Sequence, residues 1–431
     1  MNRPTLPNVP AVTPQQFGAK GDGKSDDIQA LRQAKEHAVK HGVPLELPNA
    51  EYYTSTTWEL GDVTVISKDA KISYHGKEFN RPAVDIYDNV NIFGTFHVDS
   101  VELCDVRSDK PPYHTHGNRC AVAFGNYDNG RGAHHCYIED IVICGSGMTG
   151  GNGMLLTGDT SDVRFDKITV PKGHHHVNVP AMIHWGNYLE HHPKNFDPAD
   201  AKDGYAHEPN AGVTTHPHDI SIGLIDSYAD NATFYISAGY DITIDEVRSY
   251  NAEHAIAIVH GDVGFLYASD EVRAHGMKNL HIKKVYGENL RSWGAYIQCA
   301  QAYEDDPDLN ADIKIDEMVL TASENNAGNG TAIYGVKSLE IGKLTMDGFT
   351  KQCLQLGYAN KDIRIGDLTM KNFRGDGFFA YQQGKVWDRL YPHTKNVKID
   401  KLQLVMREDY SGSVFHIGAI ENFKIGKLKM D

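Results

Sequence analysis

Asp241-Ile242-Thr243-Ile244-Asp245-Glu246-Val247 reads polar, apolar, any, apolar, two polar residues, apolar. The period-two alternation at its start argues for a strand with one buried face. The same pattern returns at Asp162-Val163-Arg164-Phe165, Asp219-Ile220-Ser221-Ile222, Asn279-Leu280-His281-Ile282 and Asp312-Ile313-Lys314-Ile315. It continues at Ser338-Leu339-Glu340-Ile341, Asp362-Ile363-Arg364-Ile365, Asn396-Val397-Lys398-Ile399 and Asn422-Phe423-Lys424-Ile425. Successive first apolar residues lie 57, 22, 38, 33, 26, 24, 34 and 26 positions apart, so the smallest unit is about two dozen residues with insertions. The 57-residue step is expected to hide one further rung. A unit this short cannot bury its apolar face alone, so neighbouring units must stack.

Working upstream, Asn89-Val90-Asn91-Ile92 and Tyr137-Ile138 fit as earlier rungs. Each unit also carries a second apolar strand before the repeat, as in Thr233-Phe234-Tyr235-Ile236, Ala255-Ile256-Ala257-Ile258, Ala295-Tyr296-Ile297 and Val414-Phe415-His416-Ile417. Two or three short strands per coil, separated by Gly, Asn and Asp corners, describe a β-solenoid. Leucine-rich repeats are the competing period, but their leucine and helix signature is missing. The fold class expected is all-β, a right-handed parallel β-helix with an N-terminal capping helix.

That helix is expected after Phe17-Gly18-Ala19-Lys20-Gly21-Asp22-Gly23-Lys24-Ser25-Asp26-Asp27 and through Lys40. Ser25 is the expected cap, Asp26 and Asp27 complement the helix dipole, and Gly42 closes it. Such a helix would cover the first rung, whose backbone would otherwise stand unpaired. Residues 1–50 are thus the opening segment and helix, and 51–431 the solenoid, with insertions near 186–217, 261–277 and 300–311.

With 57 acidic and 42 basic residues the formal charge is −15. This repels a nucleic-acid backbone, so neither DNA nor RNA is an expected partner. No stretch is apolar enough to span a membrane and no signal peptide is apparent, so a soluble protein is expected, secreted or phage-associated. Cys104, Cys120, Cys136, Cys144, Cys299 and Cys353 never form a C-x-x-C pair and read as small core residues. The histidines His174, His175, His176, His191, His192 and His207 match no standard ligand spacing, so no metal and no cofactor is expected. Oligomeric state stays open between monomer and trimer.

The opening motif, with Gly42-Val43-Pro44-Leu45-Glu46-Leu47-Pro48 and Tyr52-Tyr53-Thr54, closely resembles the start of the pectate-lyase-like superfamily. That superfamily includes polygalacturonases, alginate epimerases and phage tailspike depolymerases. The resemblance implies a side groove that holds a polysaccharide; one scaffold hosts hydrolases, lyases, epimerases and plain binding proteins.

Two regions could carry the chemistry. The loop after His184-Trp185 is rich in reactive types, and His184, Trp185, Tyr188, Tyr205, His216, Tyr235 and His260 are candidate sugar contacts by stacking or hydrogen bonding. At the opposite corner, Asp230, Glu253, His254 and Arg291 precede successive short strands. With coils about 4.8 Å apart they could form an acid, base and cation cluster. Asp230-Asn231 and His254 partly resemble the paired aspartates and the Gly-His-Gly of polygalacturonases. This chain departs in having Asn231 as the second residue, Glu253 and Ala255 around the histidine, and Val177-Asn178-Val179 on the preceding rung.

The expected function is polysaccharide cleavage by acid and base hydrolysis, with Asp230 and Glu253 as the carboxyl pair. Uronate β-elimination or epimerisation is the alternative, using a base such as His254, His184 or Tyr235 with Arg291 as the cation. A non-catalytic glycan-binding solenoid is the other. Tyr235, Gln355 and His416 are expected to line an outward polar and aromatic track.

Overall fold

The computed structural model describes residues 3–76, 82–100, 120–125, 132–145, 152–156, 158–174, 177–183, 216–260, 277–299, 310–326, 328–380 and 393–431, except 409, 411 and 419. The chain divides into two compact units, one of residues 1–230 with 267–272 and one of residues 231–266 with 273–431. Both are built from the same coil, a long strand and a short strand that each pair in parallel with their counterparts on the next coil.

In the first unit the long strands Asn91–Ser100, His134–Cys144, Ser161–Val170 and His218–Ser227 stack in that order. The short strands Trp58–Leu60, Val84–Ile86, Cys120–Phe124, Asn152–Leu156 and Ala181–Ile183 form the other sheet. Ser161 pairs directly with His218, and Val163 with Ile220. The 57-residue step therefore contains no further long rung; it is one coil lengthened by an insertion. The early coils are split more finely, because Thr64–Ser67 and Ala70–Tyr74 pair with the first and second halves of Asn91–Ser100.

The helix Ile28–His41 ends as expected on Gly42, whose φ of 63° is the left-handed conformation glycine adopts without a Cβ clash. Its start differs from expectation. Ser25 belongs to the strand Asp22–Asp26, and the N-cap is Asp27, with no side-chain cap bond. The Asp27 carboxylate turns back instead to accept from the amides of Lys20 (2.7 Å) and Gly21 (3.0 Å), closing the glycine-rich turn. Ile28, Leu31, Ala34 and Ala38 are buried, and the helix packs on the strands Leu45–Leu47, Glu51–Thr54 and Trp58–Leu60. The first coil is covered at the cost of one amphipathic helix.

In the second unit Gly239–Tyr250, Met277–Leu290, Asn310–Ala322, Lys337–Asp347, Lys361–Lys371, Thr394–Val405 and Ile420–Met430 are the long strands. Register explains each letter of the repeat. Ile244, Ile282, Ile315, Ile341, Ile365 and Ile399 form one fully buried inward column, and Val247, Val285, Met318, Leu344, Leu368 and Leu402 another, none more than 2% exposed. The two polar residues between these columns put consecutive side chains outward, which shifts the alternation by one and bends the strand around the core.

The leading polar residue has a backbone reason. Asp162, Asp219, Asp241, Asn279, Asp312, Ser338, Asp362, Asn396 and Asn422 all have φ between 51° and 60°. Asn and Asp tolerate this left-handed corner better than other L-residues. Their side chains also bond from coil to coil: Asn279 to Asp241 (2.7 Å), Ser338 to Asp312 (3.1 Å), Asn396 to Asp362 (2.7 Å) and Asn422 to Asn396 (3.0 Å).

Outside, charge alternates along the column Glu246, Lys284, Glu317, Lys343, Asp367, Lys401. Lys343 pairs with Glu317 at 2.7 Å and Lys401 with Asp367 at 2.9 Å. Cys120, Cys136, Cys144 and Cys353 are buried free thiols, and burial pushes the thiol of Cys144 up to about 11. They are core residues, as their spacing suggested.

Candidate functional site

Within the second unit, three successive coils turn the same corner before their short strands, which include His254–His260, Ala295–Cys299 and Thr331–Tyr334. The corners are stacked by backbone bonds: Arg291 N to Ala252 O (2.9 Å), Ser292 N to Glu253 O (3.3 Å), Ala255 N to Gly294 O (2.8 Å) and Gly294 N to Asn329 O (3.0 Å). Buried Asn326 braces them, donating to the carbonyls of Leu290 (2.9 Å) and Ser292 (2.6 Å).

His254 is half-buried on this corner, and its Nδ1 lies 2.8 Å from the Trp293 carbonyl oxygen. A carbonyl only accepts, so Nδ1 carries the proton in the neutral ring and Nε2 keeps the lone pair. Burial lowers the histidine's pKa below 6.5, outweighing the opposing effects of the Trp293 carbonyl and Glu253, and Arg291 lowers it further. The ring is therefore neutral near pH 7 and is oriented as a base. Glu253 beside it is half-buried. Arg291 is exposed, and its Nε donates to the Asn251 carbonyl at 2.8 Å, which fixes it to the corner.

Next to His254 lies a run of aromatic rings. The Tyr296 ring stacks on His254 at a centroid distance of 6.4 Å, with 28° between the planes, and meets Trp293 edge-on at 4.6 Å and 79°. It continues to Tyr334 at 6.2 Å, and Tyr334 to Tyr358 at 5.7 Å. The outward column of the short strands runs Tyr235, Ala257, Tyr296, Ala332, Gln355, Phe379, His416 in strict register. Small residues alternate with large ones there, so rings lie across their neighbours: Ala332 is fully buried, with Trp293 and Tyr296 packed against its cluster. These rings are tilted to one another by 57° to 79°; Tyr334 and Tyr358 are buried, while Trp293 and Tyr296 are half-buried beside His254.

The sequence-derived candidates separate as follows. Glu253, His254 and Arg291 share stacked corners of the second unit, while exposed Asp230 belongs to the first, its amide donating to the Val177 carbonyl at 2.8 Å. Tyr235 sits half-buried in the outward column, and the backbone of His260 pairs with Cys299 at the end of its strand. His216 is fully buried, so the surface sugar contact expected of it is not available. His184, Trp185, Tyr188 and Tyr205 lie outside the described residues, as do Cys104 and all the scattered histidines considered for a metal except His174. Of the expected track, Tyr235, Gln355 and His416 do fall in one column, but Gln355 is buried and accepts a hydrogen bond from the Asn329 side chain.

Trp293, Tyr334, Tyr358, Asn326 and Asn329 were not singled out from the sequence. The available signal was Ser292-Trp293-Gly294-Ala295-Tyr296, an aromatic pair placed at a corner known to precede a strand.

Among solved structures, the surface protein and adhesin PfbA of Streptococcus pneumoniae superposes with a TM-score of 0.51 at 12% identity, over 96% of this chain and 100% of that one. The coils described above and this superposition show a parallel β-helix fold. An exopolygalacturonase from Thermotoga maritima aligns over 100% of this chain and 93% of its own, with a TM-score of 0.46 and 12% identity. No protein-family model matches this chain. A curated relative, the preneck appendage protein of Bacillus phage PZA, is 21% identical over 416 residues. That match covers 84% of this chain but only 44% of the phage protein's length.

Proposed function

We propose that this chain acts on a polysaccharide and cleaves glycosidic bonds by hydrolysis, with His254 and Glu253 at the reacting corner beside the Tyr296 and Trp293 rings. The observation that carries this reading is the pairing of a neutral, carbonyl-oriented histidine with a ring stack on adjoining coils.

In the proposed step His254 Nε2 takes a proton from water as the water oxygen bonds to the anomeric carbon. The glycosidic C–O bond breaks, and the Glu253 carboxyl group gives its proton to the departing oxygen. The proton on His254 then returns to Glu253 through solvent, so one water is consumed per bond. Asp230, the other carboxylate favoured by the sequence, belongs to the first unit and is a separate candidate acid.

The experiment is incubation with a panel of neutral and uronate-containing glycans while following new reducing ends and the ultraviolet absorbance of unsaturated uronates. Reducing ends without unsaturated product support hydrolysis. Unsaturated product identifies an eliminase, and silence in both assays leaves a binding protein. His254→Gln and Glu253→Ala are expected to remove turnover with little change in the melting temperature, and Asp230→Ala tests the alternative acid. Full activity in both His254→Gln and Glu253→Ala would remove this corner from the mechanism.

A further inference from the structure

We infer that residues 3–13 form a releasable strap, locked by Arg3 onto the outer face of the first unit, which opens when salt screens the lock and leaves the coils beneath it folded. Arg3-Pro4-Thr5-Leu6-Pro7-Asn8-Val9-Pro10 carries a proline every third residue, the period of a polyproline II chain, which makes no internal hydrogen bonds. Residues 3–11 accordingly form neither helix nor strand. The arm is anchored at Val12, which bridges to Leu45 in parallel. The Val12 amide donates to the Pro44 carbonyl at 2.9 Å, and the Val12 carbonyl accepts from the Glu46 amide at 2.8 Å. Val12, Leu45, Val65, Ile92 and Ile138 stand on successive rungs, four steps of about 4.8 Å or roughly 19 Å in all. The nine residues from Val12 back to Arg3 cover about 28 Å as a polyproline-type chain, enough to bring Arg3 to the rung of Glu139.

At that end the Arg3 guanidinium donates to the Glu139 carboxylate, and its Nε lies 3.8 Å from Asp166 on the next rung. Both carboxylates are held in place without the arm. Glu139 accepts from the Gly94 amide at 2.9 Å. Asp166 accepts from the hydroxyl of buried Tyr137 at 2.7 Å and from Arg164 Nε at 2.9 Å. The receptor is thus built from bonds within and between the coils, and removing Arg3 leaves neither carboxylate without a donor.

Between lock and anchor little else holds the arm. Pro4 and Pro7 are half-buried, but Thr5, Leu6, Asn8, Val9 and Pro10 are exposed. Leu6 and Val9, its two large apolar side chains, are 46% and 49% open to solvent, so burial contributes little. Among the described residues, the backbone bonds that tie residues 3–12 to the coils are the two at Val12. The arm's position therefore rests on the ion pairs of an exposed guanidinium, and such pairs weaken in salt. Three prolines restrict the freed chain, which lowers the entropy gained on release and lets a weak lock hold. The His254 corner belongs to the second unit, so the strap does not depend on the proposed reaction.

The test attaches a maleimide dye to the full chain at Thr5→Cys and follows its fluorescence anisotropy, with the label taken up by the parent chain subtracted. The anisotropy is expected to fall about two-fold between about 0.1 M and about 1 M sodium chloride, as the Debye length shrinks from about 10 Å to about 3 Å. Adding Arg3→Ala is expected to give the low value at both salts. Amide-exchange protection of His134–Cys144 and Ser161–Val170 is expected to stay the same with and without Arg3 and at either salt. High anisotropy in the Arg3→Ala chain overturns the inference, because packing then holds the arm. An Arg3-containing chain whose anisotropy ignores salt, whether high or low, overturns it as well. Faster exchange of those two strands in Arg3→Ala would make Arg3 part of the coil structure and overturn release without unfolding.

Discussion

Asn396 lies in the middle of the corner ladder, and replacing it separates the two reasons given for its presence. Its φ is 56°, its Nδ2 donates to Asp362 at 2.7 Å, and its Oδ1 accepts from Asn422 at 3.0 Å. Asn396→Gly removes both side-chain bonds but relaxes the backbone. With each exposed bond contributing about 0.5 kcal/mol net, the loss is about 1 kcal/mol. Asn396→Ala loses the same bonds and places a Cβ in the left-handed region, adding about 1 kcal/mol for a total near 2 kcal/mol. Asn396→Val is worse again, because a β-branched residue at positive φ is a true steric outlier. Hydrogen exchange of the amides in Thr394–Val405 reads these changes locally. Exchange is expected to quicken about 5-fold in the glycine variant and roughly 30-fold in the alanine variant, with valine fastest, since about 1.4 kcal/mol is a factor of ten. If glycine proves as damaging as valine, the corner's conformation is not what selects the residue, and the ladder bonds alone must explain the repeat.

Three further outcomes follow from single contacts. Gly366→Ala would set a Cβ 2.3 Å from the Gly342 carbonyl oxygen, a backbone atom that cannot swing aside, so the urea midpoint should drop by the equivalent of about 1–3 kcal/mol; an unchanged midpoint would mean the coils can part at no cost. Lys343→Glu would place a third carboxylate between Glu317 and Asp367, and the expected loss of stability should be largest at low salt and fade as salt is added; a salt-independent loss points to packing instead. His254 has a lowered folded-state pKa, so the unfolded chain takes up its proton first as pH falls. Its contribution is complete above 6.5 and is lost as pH drops from there through the folded value, and His254→Gln should flatten that part of the stability profile.

The fold was legible because every letter of the repeat answers to a local constraint. Inward Ile and Leu columns, a left-handed Asn or Asp corner and the paired polar bend recur whatever the length of the intervening loop. The same locality explains the errors. A spacing of 57 residues looks like two rungs to a counter of periods, and only the pairing of Ser161 with His218 shows one coil with an insertion. Ser25 has the chemistry of a helix cap, yet the chain there is already in the strand Asp22–Asp26, and the capping position passes to Asp27. His216 carries a polar label but is fully buried, and burial of a single residue beside a long insertion is not a property of its neighbours in sequence.

The candidate site was harder to read for a reason of register. Glu253, His254 and Arg291 could be found because each stands at a fixed offset before a recognisable strand. The ring column beside them could not, since its content lies in which residues share an outward column. Ala257 and Tyr296 are 39 positions apart, Tyr296 and Ala332 are 36, and Ala332 and Gln355 are 23, so no single period aligns them. Once aligned, the column carries information the inward columns lack. Any closed solenoid of this type needs stacked Ile and Leu inside, so the core says little about use. The outer long-strand face shows what solvent allows of these coils, with charge alternating from Glu246 to Lys401 in one column and neutral Thr345, Thr369 and Gln403 in another. What can distinguish one such chain from another stands at its corners and on its outward columns, here a neutral, carbonyl-oriented His254 beside Glu253 and the Tyr296 ring.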